Sequence, residues 1–172
     1  MKYPLKKAAV LPVLVFAGAS LMTGTALAET IRVAADSFAY AKGDYADGQA
    51  KPVSTYTIKG KKAINYVNKG DLVGYNINVA ENGVYDLSFN IATATAQGSA
   101  VEFQVKQDGK WVSYGATTVN AKGWDNYSIV KSDAQIPLKA GSQEVRVLGA
   151  GSDDWQWNLQ YFELNKMGEL AE

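Results

Sequence analysis

Residues 73–91 have the sequence VGYNINVAENGVYDLSFNI, and this stretch carries the clearest structural signal in the chain. Apolar and polar side chains alternate over residues 73–79 and again over residues 85–91. A period of two predicts two β-strands, each with one buried face. Between them lies Asn82-Gly83, and an Asn-Gly pair between alternating runs predicts that the two strands form an antiparallel hairpin.

Shorter alternating runs continue along the rest of the chain and are separated by turn signals such as Asp108-Gly109. Aromatic and β-branched residues are frequent in these runs, and no segment has the 3.6-residue period of a convincing amphipathic helix. We therefore predict an all-β protein with the architecture of a jelly-roll β-sandwich. The predicted strands after residue 91 cover residues 101–105, 111–112, 117–119, 127–130, 136–138, 145–148 and 159–164.

The N-terminal residues have the pattern of a secretory signal peptide. Several lysines form a basic leader, residues 8–19 are largely apolar, and residues 26–28 are an Ala-Leu-Ala cleavage sequence. The apolar run is interrupted and short for a bilayer, which disfavours a membrane anchor. We expect secretion, with the periplasm as an alternative destination. The predicted organisation is a signal peptide over residues 1–28, one domain over residues 29–165 and a short polar tail over residues 166–172.

The composition excludes several classes of function. The chain has 17 Lys and Arg against 17 Asp and Glu, so no excess positive charge favours nucleic acid or an acidic membrane surface. It has no cysteine and no histidine, which excludes thiol nucleophiles, thiolate or histidine metal sites and serine–histidine triads. Its carboxylates show no pair with a recognisable glycosidase context. We therefore predict a non-catalytic, monomeric protein that binds neither nucleic acid nor, after signal cleavage, a membrane.

Residues 151–158, GSDDWQWN, place two tryptophans and an asparagine in a loop that begins with glycine. An indole offers a broad apolar face to the C–H side of a sugar ring, and an asparagine offers a donor and an acceptor to its hydroxyls. Sugar is therefore the first ligand to consider. The alternative is a tryptophan of the sandwich core beside an ordinary turn.

Four stretches occur in order along the chain: ADSF at residues 35–38, AINYVNKGD at residues 63–71, GWDNY at residues 123–127 and WNLQYF at residues 157–162. Together they resemble the landmarks of a family 6 carbohydrate-binding module. The likeness extends to modules attached to β-agarases of marine bacteria, which carry strings similar to GAGSDDWQWN at residues 149–158. The resemblance implies a jelly-roll sandwich of the galactose-binding-domain type, with a sugar-binding cleft formed by loops at one end.

The resemblance also assigns roles to five residues. It implies that the rings of Tyr66 and Trp124 flank a sugar and that Asn158 holds its hydroxyls at the floor of the cleft. Asn65 and Trp155 match further positions that agarase-type modules use for the galactose and anhydrogalactose rings. Because stacking tolerates many sugars and an unpaired polar group does not, we expect Asn65 and Asn158 to set specificity.

Each aromatic residue has an alternative interpretation as a packing residue. Tyr66 follows the apolar Ile64 at a period of two and could face the core. Trp124 has loop-like neighbours, which favours binding. We assign Trp157 to packing, because in the family this position is usually a buried aromatic, and Trp111 to packing at a strand edge.

A structural calcium ion is a further expectation from the resemblance, since members of the family hold one near the two chain ends. Asp36 stands at an acidic ligand position. Ala34 and Gln160 depart from the pattern where family members often have ligating side chains, and hard cations prefer several oxygen ligands. The alternative is that Asp36 caps a turn. We predict no required cofactor and treat calcium at Asp36 as an open expectation.

The charge of the chain bears on the ligand. Sulfated or uronate polymers usually call for arginine clamps, and Arg32 and Arg146 both lie in strand-like contexts. A neutral polymer fits better, and the resemblance points to agarose or a related neutral galactan. Xylan and β-glucan remain open as ligands. Two other interpretations of the chain also remain open: the carbohydrate-binding fragment of a longer agarase, and a structural or cell-surface interaction sandwich without a sugar ligand.

Overall fold

The computed structural model describes residues 27–43, 53–96 and 98–172. Most of the predicted signal peptide, residues 1–26, lies outside the described residues. No helix in the described part is long and apolar enough to cross a membrane. The strands are β1 (Thr30–Ala34), β2 (Tyr40–Lys42), β3 (Ser54–Ile58), β4 (Lys61–Asn65), β5 (Leu72–Val79), β6 (Gly83–Ala92), β7 (Ala100–Gln107), β8 (Lys110–Thr118), β9 (Ser128–Leu138), β10 (Gly141–Gly149) and β11 (Asn158–Gly168), and a 3₁₀ turn covers Ala35–Ser37.

The strands form two antiparallel sheets. One sheet has the order β3-β4-β11-β6-β9, and β1 pairs with β11 as well. The other sheet has the order β2-β5-β10-β7-β8. Apolar side chains of both sheets form one buried cluster, so the predicted all-β sandwich is confirmed.

The core is built from the inward faces of the alternating strands. Every second residue from Val73 to Val79 and from Tyr85 to Ile91 is buried, as the sequence pattern predicted. Within the core, the rings of Tyr75 and Phe103 each meet the ring of Phe162 edge to face, with centroid separations of 5.2 Å and 5.6 Å. Such pairs add to the hydrophobic stabilisation because a positive ring edge faces a negative ring face.

The predicted hairpin over residues 73–91 is wrong. β5 pairs with β2 and β10, whereas β6 pairs with β11 and β9, so the chain passes from one sheet to the other between them. A tight Asn-Gly hairpin needs positive φ at both residues, and neither Asn82 nor Gly83 has a positive φ. The alternation correctly identified which faces are buried, but it did not identify the neighbouring strands.

Glu29 fixes this crossover between the sheets. Its carboxylate accepts hydrogen bonds from the backbone N–H groups of Ala80 at 2.7 Å and Glu81 at 2.9 Å, and from the Tyr85 hydroxyl at 2.5 Å. Desolvation raises the pKa of Glu29, but these hydrogen bonds outweigh it and keep the pKa below its ordinary value. The residue that precedes β1 is therefore tied to the turn between β5 and β6.

The second turn signal behaves as predicted. Asp108 and Gly109 have φ values of 51° and 74°, and they join β7 to β8 as neighbours in one sheet. Positive φ at both residues of a two-residue loop gives the twist that antiparallel neighbours require.

β11 extends further than the sequence pattern indicated. Lys166 pairs with Tyr85 and Gly168 with Val84, both in β6. Residues 166–168 of the predicted polar tail therefore belong to the sheet.

Candidate functional site

An open cavity of about 430 Å³ lies where the segment after β4 meets the segments before β9 and β11. The structure brings all five predicted ligand-binding residues together around it. It adds four lining residues to which the sequence assigned no ligand role. The nine lining residues are Tyr56, Asn65, Tyr66, Val67, Trp124, Asp125, Trp155, Trp157 and Asn158.

Tyr66 reaches the cavity because its backbone leaves the strand conformation. Ile64 is fully buried, so strict alternation would turn Tyr66 toward the core. Tyr66 instead has a φ of 57°, in the left-handed region that bulky residues rarely adopt. The alternation is interrupted there, and Val67 is buried in its place. Backbone strain of this kind costs roughly 1–3 kcal/mol and clusters at ligand sites.

Gln156 organises the loop between β10 and β11. Its buried side-chain oxygen accepts hydrogen bonds from the N–H groups of Gly151 at 2.8 Å and Ala100 at 3.1 Å. Its side-chain nitrogen donates to the carbonyl oxygens of Gly98 and Asp153. A Cβ at Gly151 would lie 1.6 Å from the Gly98 oxygen, so glycine is required there. No local sequence pattern marks Gln156, because the partners of its side chain lie as far as 58 positions away.

The two tryptophans that flank Gln156 have different environments. Trp157 is fully buried, and its indole N–H donates to the Ala100 carbonyl oxygen at 2.9 Å. Trp155 is half-buried, and its ring meets the Tyr66 ring edge to face at 5.9 Å and 69°. The structure therefore places Trp157 in the core, as predicted, and Trp155 at the cavity.

Trp124 is carried by the loop between β8 and β9. Gly123 before it has a φ of 122°, a conformation that favours glycine. The N–H groups of Lys122 and Gly123 both donate to the Thr93 carbonyl oxygen, at 2.9 Å and 3.0 Å, which ties the loop to the end of β6. Trp124 is 39% exposed, so much of its ring remains available to a ligand.

Asn158 has a fixed orientation at the start of β11. Its side-chain nitrogen donates to the Trp124 carbonyl oxygen at 2.8 Å and to the Tyr56 hydroxyl at 3.2 Å. Because a carbonyl oxygen only accepts, the amide nitrogen must face Trp124. Both of these bonds are donated, which leaves the side-chain oxygen of Asn158 to accept a hydrogen bond from a ligand.

Asn65 has the opposite hydrogen-bonding arrangement. Its side-chain oxygen accepts a hydrogen bond from the Ser54 hydroxyl at 2.9 Å. This contact leaves the amide hydrogens of Asn65 to be donated. The two asparagines therefore offer complementary hydrogen-bonding groups at one cavity.

Tyr56 and Asp125 complete the polar part of the lining and were not singled out from the sequence. The Tyr56 hydroxyl lies 2.9 Å from Asp125 Oδ1 and 2.5 Å from the Tyr127 hydroxyl. Burial is the largest cause that raises the pKa of both Tyr56 and Tyr127, so both phenols are protonated at neutral pH. The alternation over residues 54–58 was the available signal for Tyr56, and Asp125 directly follows Trp124.

Asp36, the expected calcium ligand, has a lysine partner. It lies in the 3₁₀ turn, with a carboxylate oxygen 3.8 Å from Lys62 Nζ. The side-chain oxygen of Gln160 accepts a hydrogen bond from Asn90 at 2.6 Å. Within the described ranges no group of three or more acidic side chains could hold a metal ion, so a hard cation would depend on backbone carbonyl groups. Calcium at Asp36 stays a prediction.

Trp111 lies outside the cavity lining. It belongs to β8, at the edge of the five-stranded sheet, and is half-buried. The Arg146 guanidinium lies 4.1 Å from its ring centroid, a cation–π contact. This position agrees with the predicted packing at a strand edge.

Comparison with known proteins identifies relatives over most of the chain. Residues 39–166 match the model of the family described as "Carbohydrate binding module (family 6)". An alpha-agarase of Thalassotalea agarivorans is 40% identical over 143 residues, which are 83% of this chain and 10% of that protein. The beta-agarase AgaO of Microbulbifer thermotolerans is 41% identical over 150 residues, which are 87% of this chain and 13% of that protein. The chain thus spans only a small part of these relatives.

Solved structures show the same fold. The C-terminal family 6 module of LamC, a laminarinase from Zobellia galactanivorans, has a TM-score of 0.60 and 20% identity, and covers 80% of this chain and 100% of that chain. A family 6 module from Cellvibrio mixtus lichenase 5A, solved with cellotriose, has a TM-score of 0.59 and 20% identity. The match covers 80% of this chain and 97% of that chain. These likenesses confirm the predicted sandwich. The family match confirms the predicted function of a non-catalytic carbohydrate-binding module.

Proposed function

The chain belongs to the family 6 carbohydrate-binding modules, and from this membership we propose that its cavity binds agarose and neoagaro-oligosaccharides. The observation that carries the proposal is that one cavity is lined by the five residues to which the resemblance assigned a ligand role: Asn65, Tyr66, Trp124, Trp155 and Asn158. The agarases among the relatives at about 40% identity support a galactan as the ligand.

Binding would combine stacking with directed hydrogen bonds. The exposed part of Trp124 and the corner formed by Tyr66 and Trp155 offer apolar area to sugar C–H faces. Aromatic pairing contributes roughly 0.5–1.5 kcal/mol beyond area burial, and each net hydrogen bond contributes about 1 kcal/mol. Asn158 would accept from one hydroxyl, and Asn65 would donate to another sugar oxygen. Stacking gives affinity for many sugars, whereas the two asparagines select among them.

We also propose that the protein is secreted and acts where agarose is degraded. The signal-peptide pattern of residues 1–28 supports export. A sugar-binding module that is linked to a catalytic domain, or lies beside one on the polymer, raises the effective concentration of the enzyme at its insoluble substrate.

Affinity chromatography on agarose tests this proposal. Residues 29–172 would be purified and applied to an agarose column, with elution by neoagaro-oligosaccharides. Xylan and laminarin serve as competing ligands, because both remained open from the sequence. We expect retention that neoagaro-oligosaccharides reverse and the two other polymers do not.

Other results would replace the proposal. Binding to xylan or laminarin without retention on agarose would keep the module and change its sugar. Indifference to all three polymers would favour a sandwich that contacts protein, and it would remove the proposed roles of Tyr66, Trp124 and Asn158.

A further inference from the structure

The polar groups around Asn158 are mostly hydrogen-bond acceptors. The side-chain nitrogen of Asn158 is engaged by the Trp124 carbonyl oxygen and the Tyr56 hydroxyl, so its oxygen is the group left for a ligand. Asp125 lies beside it, with Oδ1 bonded to the Tyr56 hydroxyl at 2.9 Å. An ionised carboxylate has no hydrogen to donate. A ligand group at this wall of the cavity must therefore bring its own hydrogen.

Asp125 also gives the cavity its charge. It is the one charged residue among the nine described lining residues, and the lining contains no lysine or arginine. Lys122 is three positions earlier, but it lies outside the lining and forms no ion pair with Asp125 in the described structure. Asp125 is exposed, and no described lining residue carries a positive charge that would offset its carboxylate.

We propose that Asp125 is a specificity-determining residue that makes the cavity select neutral galactan and reject sulfated galactan. This inference rests on the proposed agarose binding. A sulfate ester has acceptor oxygens and a negative charge, so at the wall formed by Asp125 and Asn158 it gains no hydrogen bond and meets a like charge. A free hydroxyl at the same place donates to either residue. Rejection through a misplaced like charge is a common source of specificity.

A comparison of two oligosaccharides tests the role of Asp125. Neoagarohexaose and the same hexasaccharide with a 6-O-sulfate on galactose would be titrated calorimetrically into the wild-type protein and Asp125→Asn. Asparagine preserves the size of the side chain and can still bond Tyr56, but it removes the charge and adds a donor. Asp154→Asn is the matched control, since Asp154 is exposed and lies outside the lining.

The affinity ratio between the two sugars decides the outcome. For the wild-type protein we expect neutral sugar to bind at least about tenfold more tightly, with a smaller ratio at high salt. Asp125→Asn should reduce this ratio by roughly threefold to tenfold, as expected for one like charge at several Å in a partly solvated site. Asp154→Asn should leave it unchanged.

Two results would overturn the inference for different reasons. If the wild-type protein binds the two sugars equally, or if Asp125→Asn leaves a wild-type preference for the neutral sugar unaltered, Asp125 has no selective role. If the wild-type protein binds neither hexasaccharide, the agarose proposal itself fails, and the inference fails with it.

Discussion

Edge-to-face aromatic pairs occur in the core and at the cavity, and only their burial distinguishes them. The rings of Tyr75 and Phe162 meet at 5.2 Å and 77°, and those of Tyr66 and Trp155 at 5.9 Å and 69°. Tyr75 and Phe162 are at most 2% exposed, whereas Tyr66 and Trp155 are half-buried. The same ring contact therefore stabilises the fold in one region and leaves ring area for a ligand in the other.

The backbone explains the difference between the two regions. The core rings lie on regular strands, where alternation directs them between the sheets. The rings of Tyr66, Trp124 and Trp155 lie outside the strands, where Tyr66 has a positive φ and Trp124 follows a glycine with a positive φ. Loss of a core ring should therefore reduce stability, and loss of a cavity ring should reduce binding.

The largest expected effect is that of Phe162→Ala on stability. Phe162 is fully buried and contacts two other rings, so its truncation should lower the free energy of unfolding by about 3–5 kcal/mol. Urea denaturation followed by fluorescence measures the change. Tyr161→Ala is the matched control, because Tyr161 is half-buried with Arg32 over its ring, and about 1 kcal/mol is expected. Equal losses for the two variants would contradict the comparison.

Trp124→Ala should have the largest effect on binding. We expect the affinity for neoagarohexaose to fall at least about 30-fold, as for a hot-spot ring, with retention on agarose lost. The free energy of unfolding should change by less than about 1 kcal/mol, because the side chain is 39% exposed. Calorimetric titration and urea denaturation provide the two values. Trp111→Ala is the control outside the cavity, and a similar loss of binding there would disprove a specific role for Trp124.

Tyr56→Phe should have a smaller effect on binding. The variant loses the hydroxyl that accepts a hydrogen bond from Asn158 and contacts Asp125, while the ring remains. One lost hydrogen bond corresponds to a decrease in affinity of roughly threefold to tenfold. Tyr114→Phe removes a hydroxyl that bonds Gln107 outside the cavity, so it should bind as the wild type does. Unaltered affinity in Tyr56→Phe would show that Asn158 needs no support from Tyr56.

The smallest expected effect at neutral pH is on the free energy of unfolding, through the ionisation of phenols that are buried in both regions. Burial raises the pKa of Tyr75 in the core and of Tyr127 behind the cavity. In the unfolded chain a tyrosine ionises near pH 10, so above about pH 10 the unfolded state releases protons that the folded state keeps. The free energy of unfolding should be constant from pH 7 to about 9 and then fall. Measured by urea denaturation across this range, the free energy of unfolding should fall less steeply with pH for Tyr127→Phe than for the wild type. An identical fall in the two proteins would argue against a buried Tyr127 phenol.

The sequence predicted buried faces better than strand neighbours. Alternation over residues 73–91 depends on local geometry, since successive side chains point to opposite faces. Which two strands pair with each other depends on the segment that connects them. The two residues Asp108 and Gly109 can join only neighbours in one sheet, whereas the link over residues 80–82 is long enough to cross the roughly 10 Å between packed sheets.

The candidate site was only partly predictable. The resemblance supplied Tyr66, Trp124 and Asn158, because family motifs keep ligand-facing positions in recognisable strings. It supplied neither Tyr56 nor Asp125, which are 69 positions apart. A tyrosine in a short alternating run and an aspartate in a loop are ordinary residues until the fold brings them within hydrogen-bond distance.

The sequence by itself determined the all-β class, the buried faces of the strands and the set of rings and amides able to hold a sugar, since these depend on local periodicity and side-chain chemistry. Only the tertiary structure decided that residues 80–82 cross between the sheets, that Tyr66 leaves the core, and that Asn158 presents its side-chain oxygen to the cavity. These features depend on contacts between residues far apart in the chain. Hydrogen-bond direction and exposure are set by such contacts, and no local pattern of residues encodes them.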